Sequence, residues 1–111
     1  MKVLLLESNL LWSRRLVMTL ESAGHVAEVA TLVPGGGGFD VAIVNLSDPL
    51  VNPFEAVREL KQQGVLVFGH AGHKEKELIE KGQEAGCDRI LSNGQLTFKL
   101  PEILSEFQHA G

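Results

Sequence analysis

The chain has 111 residues, 44% hydrophobic and 22% charged, with a formal net charge of −4; that supports one core and not two, so residues 1–111 are expected to form a single domain. The acidic balance argues against a nucleic-acid partner, whose phosphates need a concentrated basic face, and the lone Cys87 rules out an internal disulfide and fits a reducing compartment. The apolar run Val3 to Leu6 is cut by Glu7 far short of a membrane span or secretory segment, so the expected setting is cytoplasmic.

In chain order, Val3 to Leu6 reads as a buried strand, apolar without alternation and too short for a helix. Glu7-Ser8-Asn9 supplies polar residues suited to capping a helix over Leu10 to Ala23. Trp12, Leu16, Leu20 and Ala23 recur on one face of that helix, and Gly24 stops it. Val26 to Ala30 reads as a second strand. The four glycines after Pro34 resemble a phosphate loop only in composition. Such a loop follows a strand, opens a helix and carries Gly-Lys-Ser/Thr, whereas these glycines precede a strand and no lysine follows. They read as a linker.

Val41-Ala42-Ile43-Val44-Asn45 is expected to be a fully buried central strand that delivers Asn45 to the sheet's carboxyl edge, with Pro49 four residues on. A helix follows over Pro53 to Gln63, presenting Phe54, Val57 and Leu60 inward and stopped by Gly64. Val65 to Phe68 is a fourth strand and Gly69 to His73 a loop. Lys74 to Ala85 is a charged helix burying Leu78, Ile79, Gly82 and Ala85, with Gly86 as its cap. Arg89 to Leu91 is a short fifth strand, Ser92-Asn93-Gly94 a turn, and Pro101 to Gln108 a last helix packing Ile103, Leu104 and Phe107.

Strand-helix alternation of this kind implies an α/β three-layer sandwich around a five-stranded parallel sheet, with the second helix shortened or missing. A flavodoxin-like order 2-1-3-4-5 would bring Glu7, Ser8 and Asn45 together at the switch point between strands one and three.

Over nearly its whole length the chain resembles the response-regulator receiver (CheY-like) family. The resemblance rests on Glu7-Ser8 where the family has an acidic pair, on Arg14 to Leu20 and Gly24-His25-Val26, and on Phe39-Asp40-Val41. It also rests on Asn45 with Pro49, and on the Ala85-Gly86-Cys87-Asp88 turn. The chemical positions depart from the family. Its phosphoacceptor aspartate falls on Asn45, and an amide cannot form an acyl phosphate. The serine or threonine ending strand four falls on Gly69, His70 or Ala71. The lysine ending strand five falls on Asn93, with Gly94 where the family has proline. Glu7, Ser8, Asn45, Gly69, His70 and Asn93 are therefore the expected remains of a phosphorylation pocket, with no catalytic residue, cofactor or metal.

The resemblance implies a stand-alone pseudo-receiver, not an enzyme, that signals by binding. Its partner would be another protein or a second copy, held on the family's helix 4–strand 5–helix 5 face, here Lys74 to Ala85, Arg89 to Asn93 and Pro101 to Gln108. The alternative is a small-molecule or metal-binding protein using Glu7, Asn45, His70 and His73. Asp48 reads as a turn residue before Pro49 rather than a displaced acceptor. Ser8, Ser47 and Cys87 lack a sequence-adjacent base or nucleophile elbow.

Overall fold

Buried apolar runs alternating with amphipathic segments produce a parallel sheet covered by helices. The computed structural model describes residues 1–108, with strands β1 (Lys2–Leu6), β2 (Val26–Ala30), β3 (Val41–Asn45), β4 (Leu66–His70) and β5 (Arg89–Leu91). Every pairing is parallel and the order is β2-β1-β3-β4-β5. The helices are α1 (Leu10–Ser22), α2 (Pro53–Gln62), α3 (Lys76–Ala85), α4 (Asn93–Phe98) and α5 (Leu100–Gln108), with a single 3-10 turn over Pro49–Val51. No helix separates β2 from β3. Pro34 to Gly38 crosses that gap as a loop, and Gly36, Gly37 and Gly38 adopt φ of 85°, 49° and 80°, a region open mainly to glycine.

Side chains alternate across a strand, so each central strand feeds two cores. Leu4, Leu6, Ala42, Val44 and Val67 pack with Val57, Leu60 and Ala85 on the α2–α3 side. Val3, Leu5, Val41, Ile43 and Phe68 pack with Leu16, Leu20, Leu96, Leu100 and Leu104 on the α1–α5 side. Burial on both faces is why Val3 to Leu6 of β1 and Val41 to Val44 of β3 are apolar without interruption. β2, at the sheet edge, is mostly exposed.

Several boundaries differ from expectation. Helix α1 starts where Asn9 accepts hydrogen bonds from the Leu11 and Trp12 N–H groups, and it ends at Ser22, so Ala23 is an exposed cap and not part of the buried stripe. Strand β4 runs on to His70, which makes Gly69 and His70 strand residues instead of loop. Ser92-Asn93-Gly94 is not a turn. Ser92 caps α4, accepting from the Gln95 N–H while the Gln95 side chain accepts from the Ser92 N–H. This reciprocal pair outweighs the turn preference of Asn-Gly.

Candidate functional site

β1 and β3 are neighbours that continue into helices on opposite faces, which opens a crevice at their carboxyl ends. Glu7, directly after β1, is 4% exposed. Asn45 closes β3 and stands in register with His70 of β4. The Asn45 amide uses both ends. Its Nδ2 donates to Glu7 Oε1 at 2.9 Å and Oε2 at 3.2 Å, while its Oδ1 accepts from Ser47 N at 3.0 Å and Ser47 Oγ at 2.8 Å. The Asn9 N–H donates to Glu7 Oε2 at 3.1 Å. His70 Nε2 is hydrogen-bonded to Asn93 Oδ1, and its ring stacks on Trp12 with centroids 5.7 Å apart.

Glu7, Asn45, His70 and Asn93 therefore converge on one cleft of about 270 Å³, completed by Asn9, Trp12 and Thr97. Register resolves which residue ends strand four at the site: it is His70. Gly69 lies on the opposite face, where a β-carbon would come within 2.9 Å of Ile90 and Leu46. Ser8 does not line the cleft either, and its N–H donates to Asp48 Oδ2 at 2.7 Å. His73 is exposed and does not line the cleft. The His70/His73/Glu7 metal arrangement is thus not assembled. Among the described residues no three His, Cys, Asp or Glu side chains group as a metal site. Thr97 is not evident from the sequence because Asn93-Gly94 favours a turn there. The Ser92-x-x-Gln95 capping pattern would have indicated a helix, and helical spacing puts Thr97 beside Asn93, where its Oγ1 donates to the Asn93 carbonyl at 2.8 Å.

Asp48 is buried and fully engaged, accepting from Ser8 N on one oxygen and from Leu50 N at 3.0 Å on the other. Burial alone would raise its pKa, but hydrogen bonding from Ser8 and Leu50, with a smaller contribution at Glu7, holds it below the ordinary carboxylate value. It is a turn-forming cap and not a free acceptor. Cys87 sits between α3 and β5, and burial, reinforced by the Asp88 charge against a smaller opposing effect of Lys61, pushes its thiol up to about 11. Trp12 Nε1 is the one buried side-chain nitrogen or oxygen among the described residues without a hydrogen-bond partner. Trp12 also borders a void of about 10 Å³ between Glu7, Asn45 and His70, close to the size of one water.

The arrangement is internally hydrogen-bonded. Glu7 has donors on both oxygens, Asp48 has donors on both oxygens, and neither lysine nor arginine lines the cleft. Magnesium, which takes hard oxygen donors from one or two carboxylates, does not suit a site where the Asn45 amide already serves the single lining carboxylate.

No protein-family model and no curated protein matches the sequence. Solved structures do. The CheY-like receiver domain protein from Methanospirillum hungatei is 18% identical with a TM-score of 0.76, the alignment covering 99% of this chain and 98% of that one. A response regulator from Thermotoga maritima is 14% identical at TM-score 0.77, covering 95% and 94%. The receiver domain of the sensor histidine kinase PA1611 from Pseudomonas aeruginosa, solved with magnesium coordinated in its active-site cleft, is 18% identical at 0.76, covering 97% and 94%. The fold is that of response-regulator receivers. On this receiver fold, Asn45 occupies the end of β3 and His70 the end of β4. No helix among the described residues is long and apolar enough to cross a membrane.

Proposed function

We propose that this chain is a receiver-like regulatory protein that works without phosphorylation, by binding another protein in the cytoplasm. The observation that carries the reading is the Asn45 amide, which donates to both oxygens of Glu7 and accepts from Ser47. Aspartyl-phosphate chemistry needs a carboxylate nucleophile at that place and a cation for the phosphoryl oxygens. Here the nucleophile is an amide, the lysine position is Asn93, and Asp48 is spent on backbone donors. Of the six expected pocket residues, Glu7, Asn45, His70 and Asn93 line the cleft without that chemistry, and Ser8 and Gly69 do not line it.

The binding face we assign is α3, β5 and α5. These elements are continuous: α3 packs on β5, and Arg89 of β5 pairs with Glu106 of α5 at 3.1 Å. The outer side of α3 carries Lys76, Glu77, Glu80, Lys81 and Glu84, all exposed, giving a mixed-charge surface suited to selecting a partner. The test is incubation with acetyl phosphate and, separately, with magnesium and beryllofluoride. We expect no stable label and no saturable change in Trp12 fluorescence. Stable label at Asp48 or elsewhere in the cleft would overturn the reading.

A further inference from the structure

A groove of about 600 Å³ lies between α3 and the segment that leads from β3 into α2. It shares no lining residue with the Asn45 cleft and has more than twice that cleft's volume of about 270 Å³. Its walls are mainly apolar: Leu46 and Pro49 follow β3, Pro53 and Phe54 open α2, and Leu78 stands on α3. The backbone of this wall is held stiffly. Asp48 accepts from the Ser8 and Leu50 N–H groups and so fixes the 3-10 turn. Asn52, between that turn and α2, has φ of 48° and ψ of 65°. Among the described residues it is the one non-glycine residue with positive φ, a region that most side chains avoid. The rings of Pro49 and Pro53 fix φ on either side of it. A wall ordered in advance loses little freedom when something binds.

Three polar side chains complete the lining, and their hydrogen bonds decide what fits. Ser47 Oγ donates to Asn45 Oδ1 at 2.8 Å, and Asn52 Nδ2 donates to Glu55 Oε2 at 2.8 Å. Glu75 Oε1 accepts from Gly72 N at 3.2 Å, but Glu75 has no salt-bridge partner and its Oε2 no hydrogen bond among the described residues. Neither lysine nor arginine lines the groove. An apolar trough with one unanswered carboxylate matches an apolar body that carries one cation. We propose that this groove is a binding site for a small apolar amine, its hydrocarbon part against Phe54, Leu78 and Leu46 and its ammonium beside Glu75 Oε2. The volume lies within the range of small-molecule sites, about 300–1,000 Å³. A protein interface engages about 20–30 residues a side, whereas eight line this groove. A small anion would be repelled by Glu75, and a hard metal ion would find a single carboxylate there. The site stands apart from the Asn45 cleft and does not depend on whether the chain takes up phosphate.

The experiment is an NMR titration of the intact chain at neutral pH with n-hexylamine, 1-hexanol and hexanoate, probes of one length that differ in head group. The methyl signals of Leu46 and Leu78 and the ring signals of Phe54 should shift saturably with hexylamine. Hexanol should bind at the same place up to about fivefold more weakly, the range of one exposed ion pair, and hexanoate more weakly still. Glu75→Gln should remove the amine's advantage and leave hexanol binding unchanged, while Glu75→Lys should pass the advantage to hexanoate. Glu75 is exposed, so both variants should fold, which their circular dichroism checks. Groove signals that stay still up to about 10 mM hexylamine, beyond very weak binding, overturn the proposal. Equal binding of all three probes also overturns it, because the carboxylate then selects nothing. So do shifts confined to Trp12 and His70, which would put the amine in the other cleft.

Discussion

At the residue scale, Asn45 decides what this site can be. Its amide is the side-chain hydrogen-bond donor that, with the Asn9 N–H, makes a carboxylate tolerable at Glu7, 4% exposed and, among the described residues, without a cationic partner within salt-bridge distance. Asn45→Asp keeps the shape and replaces that donor by a second carboxylate where Nδ2 now lies 2.9 Å from Glu7. The variant should lose about 1–3 kcal/mol, the cost of stranding a buried polar group, and millimolar Mg²⁺ should return much of it. Urea unfolding with and without the ion measures both, and unchanged stability would mean the Asn45–Glu7 bond matters little. Asp48 gives a second prediction with a defined sign. Its folded pKa is depressed, so its stabilisation is present above the unfolded carboxylate value, about 3.9, and disappears as pH falls through the lower folded value. Asp48→Asn, which opposes an amide N–H to the Ser8 N–H, should cost about 1–3 kcal/mol at neutral pH and flatten the acid limb of the stability curve. The sequence carried Asn45, Glu7 and Asn93 to the right edge, because strand ends follow from apolar runs. It could not choose among Gly69, His70 and Ala71, since a one-residue shift moves a side chain to the other face and only pairing with β3 fixes the register.

At the scale of elements, the helices that the pattern announced most clearly are those with glycine stops and apolar stripes, α1, α2 and α3. Helix α4 escaped because six residues give too little periodicity and Asn-Gly suggests a turn. Its capping box is what makes so short a helix hold, so Ser92→Ala should cost about 1 kcal/mol and loosen the Asn93–His70 contact, visible in the His70 ring resonances. Helix α3 offers a sharper test of packing against propensity. Gly82→Ala gains up to about 1 kcal/mol of helix propensity. However, its new β-carbon would stand 2.6 Å from Leu46 Cδ1 and 3.1 Å from Ile90 Cδ1. Leu46 is 2% exposed, and its Cδ1 must shift for the new carbon to fit. Overpacking of about 1–3 kcal/mol should win, so the variant should be less stable by thermal melting. A raised melting temperature would show that Leu46 can repack.

At the scale of the whole molecule, the sheet separates two cores that share no side chain, one under α2 and α3 and one under α1 and α5. Whether they melt together is open to measurement because each side carries a reporter. Trp12 packs against the α1–α5 core and Cys87 against the α2–α3 core. The thiol, pushed up to about 11 and partly buried, holds almost no thiolate at pH 8, so native alkylation should be far slower than in the unfolded chain. The same shift has a thermodynamic sign. The folded state favours the protonated thiol, so this contribution is complete below the unfolded thiol value, about 8.5, and is lost as pH rises toward 11. In a urea series at pH 8, Cys87 reactivity and Trp12 fluorescence should follow one coincident transition, because β1, β3 and β4 contribute alternate residues to both cores and neither can open while the sheet stands. If Cys87 becomes reactive at lower urea than Trp12 responds, then α3 and β5 open as a separate unit, and the proposed binding face would be the least stable part of the molecule.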